Sequence, residues 1–147
     1  MRGPRGIVVL ILVVVIAVTG LLFMPKSFDS ALGISLSRLE EVTLTVKTPD
    51  GDVLLEETYP AGSDEFARVI SIFQRSKYAR TRSTAGEAQE QVISAVFLDE
   101  AEQIFLYNTL NFNHVDIGAG GRVKTYQMDD PEVVRESVRS FLDKQGA

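Results

Sequence analysis

The sequence predicts an α+β protein: an N-terminal transmembrane helix followed by one domain, in which an antiparallel sheet of about five to six strands carries two helices packed on one face. Three observations lead there. Residues 7–24 form an eighteen-residue run without a charge. Residues 42–51 read "VTLTVKTPDG", a strict apolar/polar alternation that runs into a turn motif. Two segments, around Phe66 and Val138, repeat apolar residues at helical spacing, and strand-like stretches lie between them.

A secretory signal peptide has an apolar region of roughly 7 to 15 residues, whereas a spanning helix needs about 17 to 25. The run at 7–24 fits the second class. Fourteen of its eighteen residues are Val, Ile, Leu or Phe, which favour insertion by roughly 4 to 8 kcal/mol. The best cleavage position, after Gly20, lies inside the apolar run with Leu21, Leu22 and Phe23 behind it, so the segment is expected to be retained. Ten of the eighteen are β-branched, yet in hydrocarbon an isolated segment becomes helical because it must satisfy its own backbone. Arg2, Arg5 and the terminal amine precede the span, against Lys26 and the more distant Arg38 after it. This asymmetry places a short tail, residues 1–6, in the cytoplasm and the C-terminal domain outside.

Residues 25–41 read as a membrane-proximal linker, small and polar in "SFDSALGIS" and at most a short turn in "LSRLEE". The domain is then expected over 42–147. Val42, Leu44 and Val46 share one face of the first strand. Pro49 and Gly51 suit a reversal at 48–51 into a second strand, "DVLLEETY". Ser63 caps a helix whose buried stripe is Phe66, Val69, Ile70 and Phe73, with Asp64 and Glu65 at its positive end. After a loop to about Glu90, "QVISAVFL", "QIFLYNTL" and a weaker pair around "HVDI" and "RVKTYQM" give three or four more strands. Asp130 is the expected cap of the last helix, Pro131 its first residue, and Val134, Val138, Phe141 and Leu142 its buried stripe. The order is ββαβββ(β)α. With both helices on one face, the other sheet face is left partly solvated or free to receive a partner.

"EVTLTVKTPDG", "FARVISIFQRSK", "VISAVFLDEAEQIFLY" and "RVKTYQMDDPEVV" together resemble small, membrane-anchored extracytoplasmic domains of unknown function from Gram-positive bacteria, over roughly residues 39–144. The resemblance implies an envelope location and carries no catalytic motif. Many of that group are lipoproteins, whereas this chain has no cysteine and uses an apolar helix.

Beyond the span the chain holds thirteen of the fifteen Lys and Arg against all twenty Asp and Glu, a net charge of −7. That argues against a nucleic-acid partner. The absence of cysteine removes disulfides, thiol nucleophiles and thiolate metal sites. "RSKYARTRSTAG" places Arg75, Lys77, Arg80 and Arg82 within eight residues, with Tyr78 among them. It reads as a polar loop whose first cations complement a helix end, or as a contact for lipid head groups or an envelope polyanion, with Tyr78 touching the partner. "NFNHVDIG" holds the one histidine, and His114 and Asp116 share a strand face beside Asn113. No second His, Cys or HExxH pattern joins them to make a metal site, and no nucleophile elbow announces a serine. "GAGG" at 118–121 lacks the helix and Lys of a phosphate loop, and "DGD" at 50–52 lacks the further ligands of a calcium loop, so both read as turns. Glu132 with Arg135 and Glu136 with Arg139 read as surface pairs.

No cofactor or metal is expected. The leading expectation is a non-catalytic, membrane-tethered extracytoplasmic binding or regulatory module with a protein or envelope partner, acting through the open sheet face or an edge strand. The rivals are a small envelope hydrolase built on His114 and Asp116, and a sensor of anionic surfaces built on the Arg75 to Arg82 loop.

Overall fold

The computed structural model describes residues 3–83, 86 and 88–146. Arg2, one of the charges expected to orient the span, lies outside them. The first element, α1 (Pro4–Phe23), contains most of the apolar run; it has proline at its first position and no buried side chain. Its 20 residues reach about 30 Å, the thickness of a bilayer's hydrocarbon core. This N-terminal helix is apolar enough to cross a membrane.

The stretch expected as a linker is built into the domain instead. A short helix, α2 (Phe28–Leu32), ends at Gly33, whose φ of +87° is the left-handed conformation that glycine adopts without strain. A 3-10 turn at Leu36–Arg38 then feeds β1 (Leu39–Lys47). Phe28, Ala31 and Leu32 are buried. Five residues span little more than one turn, too few to show a helical period, which is why this piece of core was not legible as such.

The other elements are β2 (Val53–Pro60), α3 (Asp64–Phe73), β3 (Tyr78–Arg80), β4 (Val92–Asp99), β5 (Ile104–Thr109), β6 (His114–Gly118), β7 (Lys124–Met128) and α4 (Pro131–Lys144). The strands form one antiparallel sheet in the order β2-β1-β4-β5-β6-β7-β3. It has seven strands, against the five to six expected. The weak pair after residue 113 supplies two full strands, and β3 lies in the segment expected to be loop. β3 is only three residues long, yet it pairs with β7, and Tyr78 exchanges both backbone hydrogen bonds with Lys26 at 2.8 Å on its other side. That edge of the sheet is therefore met at Tyr78 by the chain leaving α1, while no described strand pairs with the outer edge of β2.

Register fixes the two faces. The pairs Val42↔Phe97, Leu44↔Ala95 and Val46↔Ile93 continue through Ala95↔Tyr107, Tyr107↔Ile117 and Val115↔Tyr126, so one buried face runs across the sheet. Helix α3 buries Phe66, Val69, Ile70 and Phe73 from the expected stripe, and α4 buries Val134, Val138, Phe141 and Leu142. Ser63 Oγ accepts the Phe66 amide as the expected cap of α3. Asp130 sits at the expected cap position of α4 but makes no capping bond. Instead Asp129 accepts the Lys77 amide at 2.8 Å and the Ser76 hydroxyl at 3.0 Å, tying the start of α4 to the end of α3. The turn after β6 requires its first glycine: Gly118 has φ +142°, and a Cβ there would meet the Arg122 carbonyl oxygen at 2.6 Å.

At the centre Phe28 meets Phe73, Phe97 and Tyr107 with ring centroids 5.5, 5.8 and 5.8 Å away, and Phe73 stacks on Tyr107 at 4.0 Å. The Tyr78 hydroxyl donates to the Phe73 carbonyl at 2.6 Å and lies 3.1 Å from the Tyr107 hydroxyl. Burial pushes both phenols above their ordinary value of 10.0, because the tyrosinate would lose its hydration. A neutral group whose ionisation is delayed in the fold contributes stability below pH about 10, and that contribution is lost as the pH rises further. Alkaline titration of the folded chain is therefore expected to leave Tyr78 and Tyr107 silent near pH 10. Their tyrosinate absorbance should appear together with loss of near-ultraviolet circular dichroism; full ionisation near pH 10 in a folded chain would contradict this packing.

Candidate functional site

Apart from Ser83, whose hydroxyl reaches the buried His114 at one end, no described element lies over the face of the sheet turned away from the helices. By alternation it carries Thr43 and Thr45 of β1, Ser94, Val96 and Leu98 of β4, Ile104, Leu106 and Asn108 of β5, Asp116 of β6 and Thr125 of β7. Its middle is aliphatic: Val96 faces Leu106, and Leu98 faces Ile104, which is 51% exposed. Around this centre side chains bond to one another, Thr43 to Thr58 at 2.8 Å, Ser94 to Asn108 at 2.6 Å, and Thr125 to Asp116 at 2.7 Å. The charges within its strands are carboxylates, Glu41 beside Leu98, Glu56 beside Thr45, and Asp116; Lys47 stands at the very end of β1.

The predicted polar cluster is brought together, with different members. Asn113 Oδ1 lies 2.9 Å and Asn111 Oδ1 3.0 Å from His114 Nδ1, and Ser83 Oγ lies 2.7 Å from Nε2. With the proton on Nδ1, Nε2 accepts from Ser83, an arrangement in which a histidine can polarise a hydroxyl. Asp116 shares the strand face as expected but takes its bond from Thr125 and none from the histidine. Neither Ser83 nor His114 lines the grooves of about 310, 550, 180 and 450 Å³, and among the described residues no group of three His, Cys, Asp or Glu is placed to hold a metal. Ser83 is far from His114 in sequence, and only the pairing of β3 with β7 brings its loop alongside.

Arg135 builds the turn that holds this cluster. It was expected on the surface with Glu132, but its side chain is buried and donates to three backbone carbonyls: Asn111 at 2.7 Å, Gln91 at 2.8 Å and Phe112 at 3.2 Å. Loss of hydration lowers its pKa, offset in part by Glu90. Asn111 Oδ1 then accepts the His114 amide at 2.9 Å, which closes the turn. The ion pair found among the described residues is Arg38 with Glu100 at 3.0 Å, not the two pairs expected on the last helix.

The predicted basic loop is dispersed. Tyr78 is wholly buried and cannot touch a partner. Arg80 is half-buried, 5.9 Å from the Tyr126 ring centroid. Arg82 lies 5.6 Å from the Phe23 ring at the end of α1, and Lys77 is exposed beside Asp129. Arg75 belongs to another constellation, a groove of about 310 Å³ between α3 and α4 that it shares with Arg68 and Lys144. Thr84, Ala85 and Glu87, from the rest of the expected loop, lie outside the described residues. Comparison with family models, with curated proteins and with solved structures finds no match.

Proposed function

We propose that this protein is a membrane-tethered, non-catalytic binding module whose domain stands outside the cytoplasm and whose uncovered sheet face docks a protein partner. The observation that carries the reading is that face: an aliphatic centre of Val96, Leu98, Ile104 and Leu106 over which no described element of the chain lies. Its rim of Glu41, Glu56 and Asp116 complements a partner that presents aliphatic side chains flanked by Lys or Arg. Two like-charged copies of the face would repel, which favours a different protein over self-association. The anchor raises the local concentration of a modest-affinity face at the membrane. The charge asymmetry across α1 supports the outward placement of the domain.

The test is site-specific photo-crosslinking in intact cells, with the photoreactive residue at Val96 or Leu106 and, as comparison, at Ser140 on α4. Adducts are expected from the sheet positions, with a partner that is then purified and titrated against the full chain. Leu106→Lys should weaken that binding at least about tenfold, since it buries an unpaired charge and opposes the partner's cations. Crosslinks that form only from Ser140, or a purified partner that binds Leu106→Lys as it binds the unaltered chain, would overturn the proposal.

A further inference from the structure

On the opposite side of the sheet, α3 presents Arg68, Ser71 and Ile72, the turn just past its end presents Arg75, and α4 presents Ser137, Ser140, Phe141 and Lys144. The α4 set follows the spacing i, i+3, i+4, i+7 and Arg68, Ser71 and Ile72 the spacing i, i+3, i+4, which place side chains along one helical stripe; Arg75 extends the second row from the turn after α3. The Ser76 to Asp129 bond joins the end of α3 to the start of α4, and Phe141, late in α4, meets Tyr59, just ahead of α3. The helices are therefore antiparallel, with Arg68 and Lys144 toward one end of the groove and Arg75 toward the other.

The lining is selective in sign. The chain has twenty Asp and Glu against fifteen Lys and Arg, yet this groove is lined by three cations, three serines and no carboxylate. None of Arg68, Arg75 and Lys144 is in an ion pair among the described residues. Three unpaired like charges along one groove repel each other, and a bound anion would relieve that repulsion while the serine hydroxyls donate to its oxygens. Buried Ile72 and Phe141 make an apolar floor that keeps water from beneath a ligand. The larger hollow beside Arg135, about 550 Å³, has no such preference, since Glu90, Glu132 and Glu136 line it together with Arg135 and Arg139.

We infer that the groove between α3 and α4 is a binding site for a phosphate-bearing ligand. Its volume of about 310 Å³ stands at the small end of ligand sites, which suits a single phosphorylated group. Arg75 is three residues ahead of Tyr78, whose backbone is bonded to Lys26 just past α1, so the Arg75 end opens near the anchor. Phosphate from a lipid head group and phosphate from a soluble ester both meet these requirements.

The experiment uses the purified full chain in neutral maltoside micelles, titrated calorimetrically with glycerol phosphate in one arm and short-chain phosphatidylglycerol in the other. Binding that weakens with salt is expected in at least one arm. Signal in the lipid arm alone assigns the head group, signal in the glycerol phosphate arm assigns a soluble ester, and both support the site. Each of Arg68→Gln, Arg75→Gln and Lys144→Gln should weaken binding by about fivefold, and the triple variant should lose it. A control with Lys47→Gln, Arg122→Gln and Arg139→Gln removes the same charge elsewhere and should bind as the unaltered chain does. Circular dichroism checks that both variants are folded. No binding in either arm, or equal losses in the groove and control variants, would overturn the inference.

Discussion

Phe28→Ala is expected to lower the unfolding free energy of the chain by about 3 to 5 kcal/mol, the range for deleting a buried aromatic ring from a core that collapses only partly. The measurement is the urea or thermal midpoint of the full chain in mild detergent. Phe28 is 1% exposed and sits against Phe73, Tyr78, Phe97 and Tyr107. Its loss opens a cavity bounded by α3 and the middle of the sheet, and the two phenols lose their apolar cover. Met24→Ala, four residues earlier and 55% exposed, should leave the midpoint of the domain unchanged. If residues 25–41 were only a spacer, both substitutions would be equally silent.

The second large effect is expected from Arg135→Met, which keeps the bulk of the side chain and removes its donors. Three carbonyls that now receive charged hydrogen bonds would lose them, at a cost of about 2 to 4 kcal/mol. Arg135→Lys should recover less than half, because one ammonium cannot reach three separated acceptors as a planar guanidinium does. Beyond the shift in midpoint, amide exchange at Asn113 and His114 should quicken, because the Asn111 to Asn113 turn is held from beneath by this one side chain. A purely local surface role would leave those amides unchanged.

The elements legible in the sequence are those whose pattern repeats. The alternation in β1, the turn at Thr48 to Gly51 and the apolar stripes of α3 and α4 each recur over several residues, so the α+β class and a sheet face free of the two helices could be inferred. The four cations between Arg75 and Arg82 looked like a cluster because sequence proximity stood in for spatial proximity. Once Tyr78 is drawn into the core, alternation sends Arg80 against Tyr126, while Arg82 reaches the end of α1. Arg68 and Lys144 carried a signal of their own, a cation one residue before or three after an apolar stripe position, but nothing local announced that two helices would bring them to one groove.

By itself, the sequence determined the membrane-length helix, the α+β class and the buried stripes, because hydrophobic period and backbone geometry are local properties. Only the tertiary structure decided that residues 28–32 belong to the core, that Ser83 rather than Asp116 reaches His114, and which cations share a groove. Each of those depends on a register or a helix contact between residues distant in the chain, and such contacts are set by packing of the whole domain rather than by any one segment.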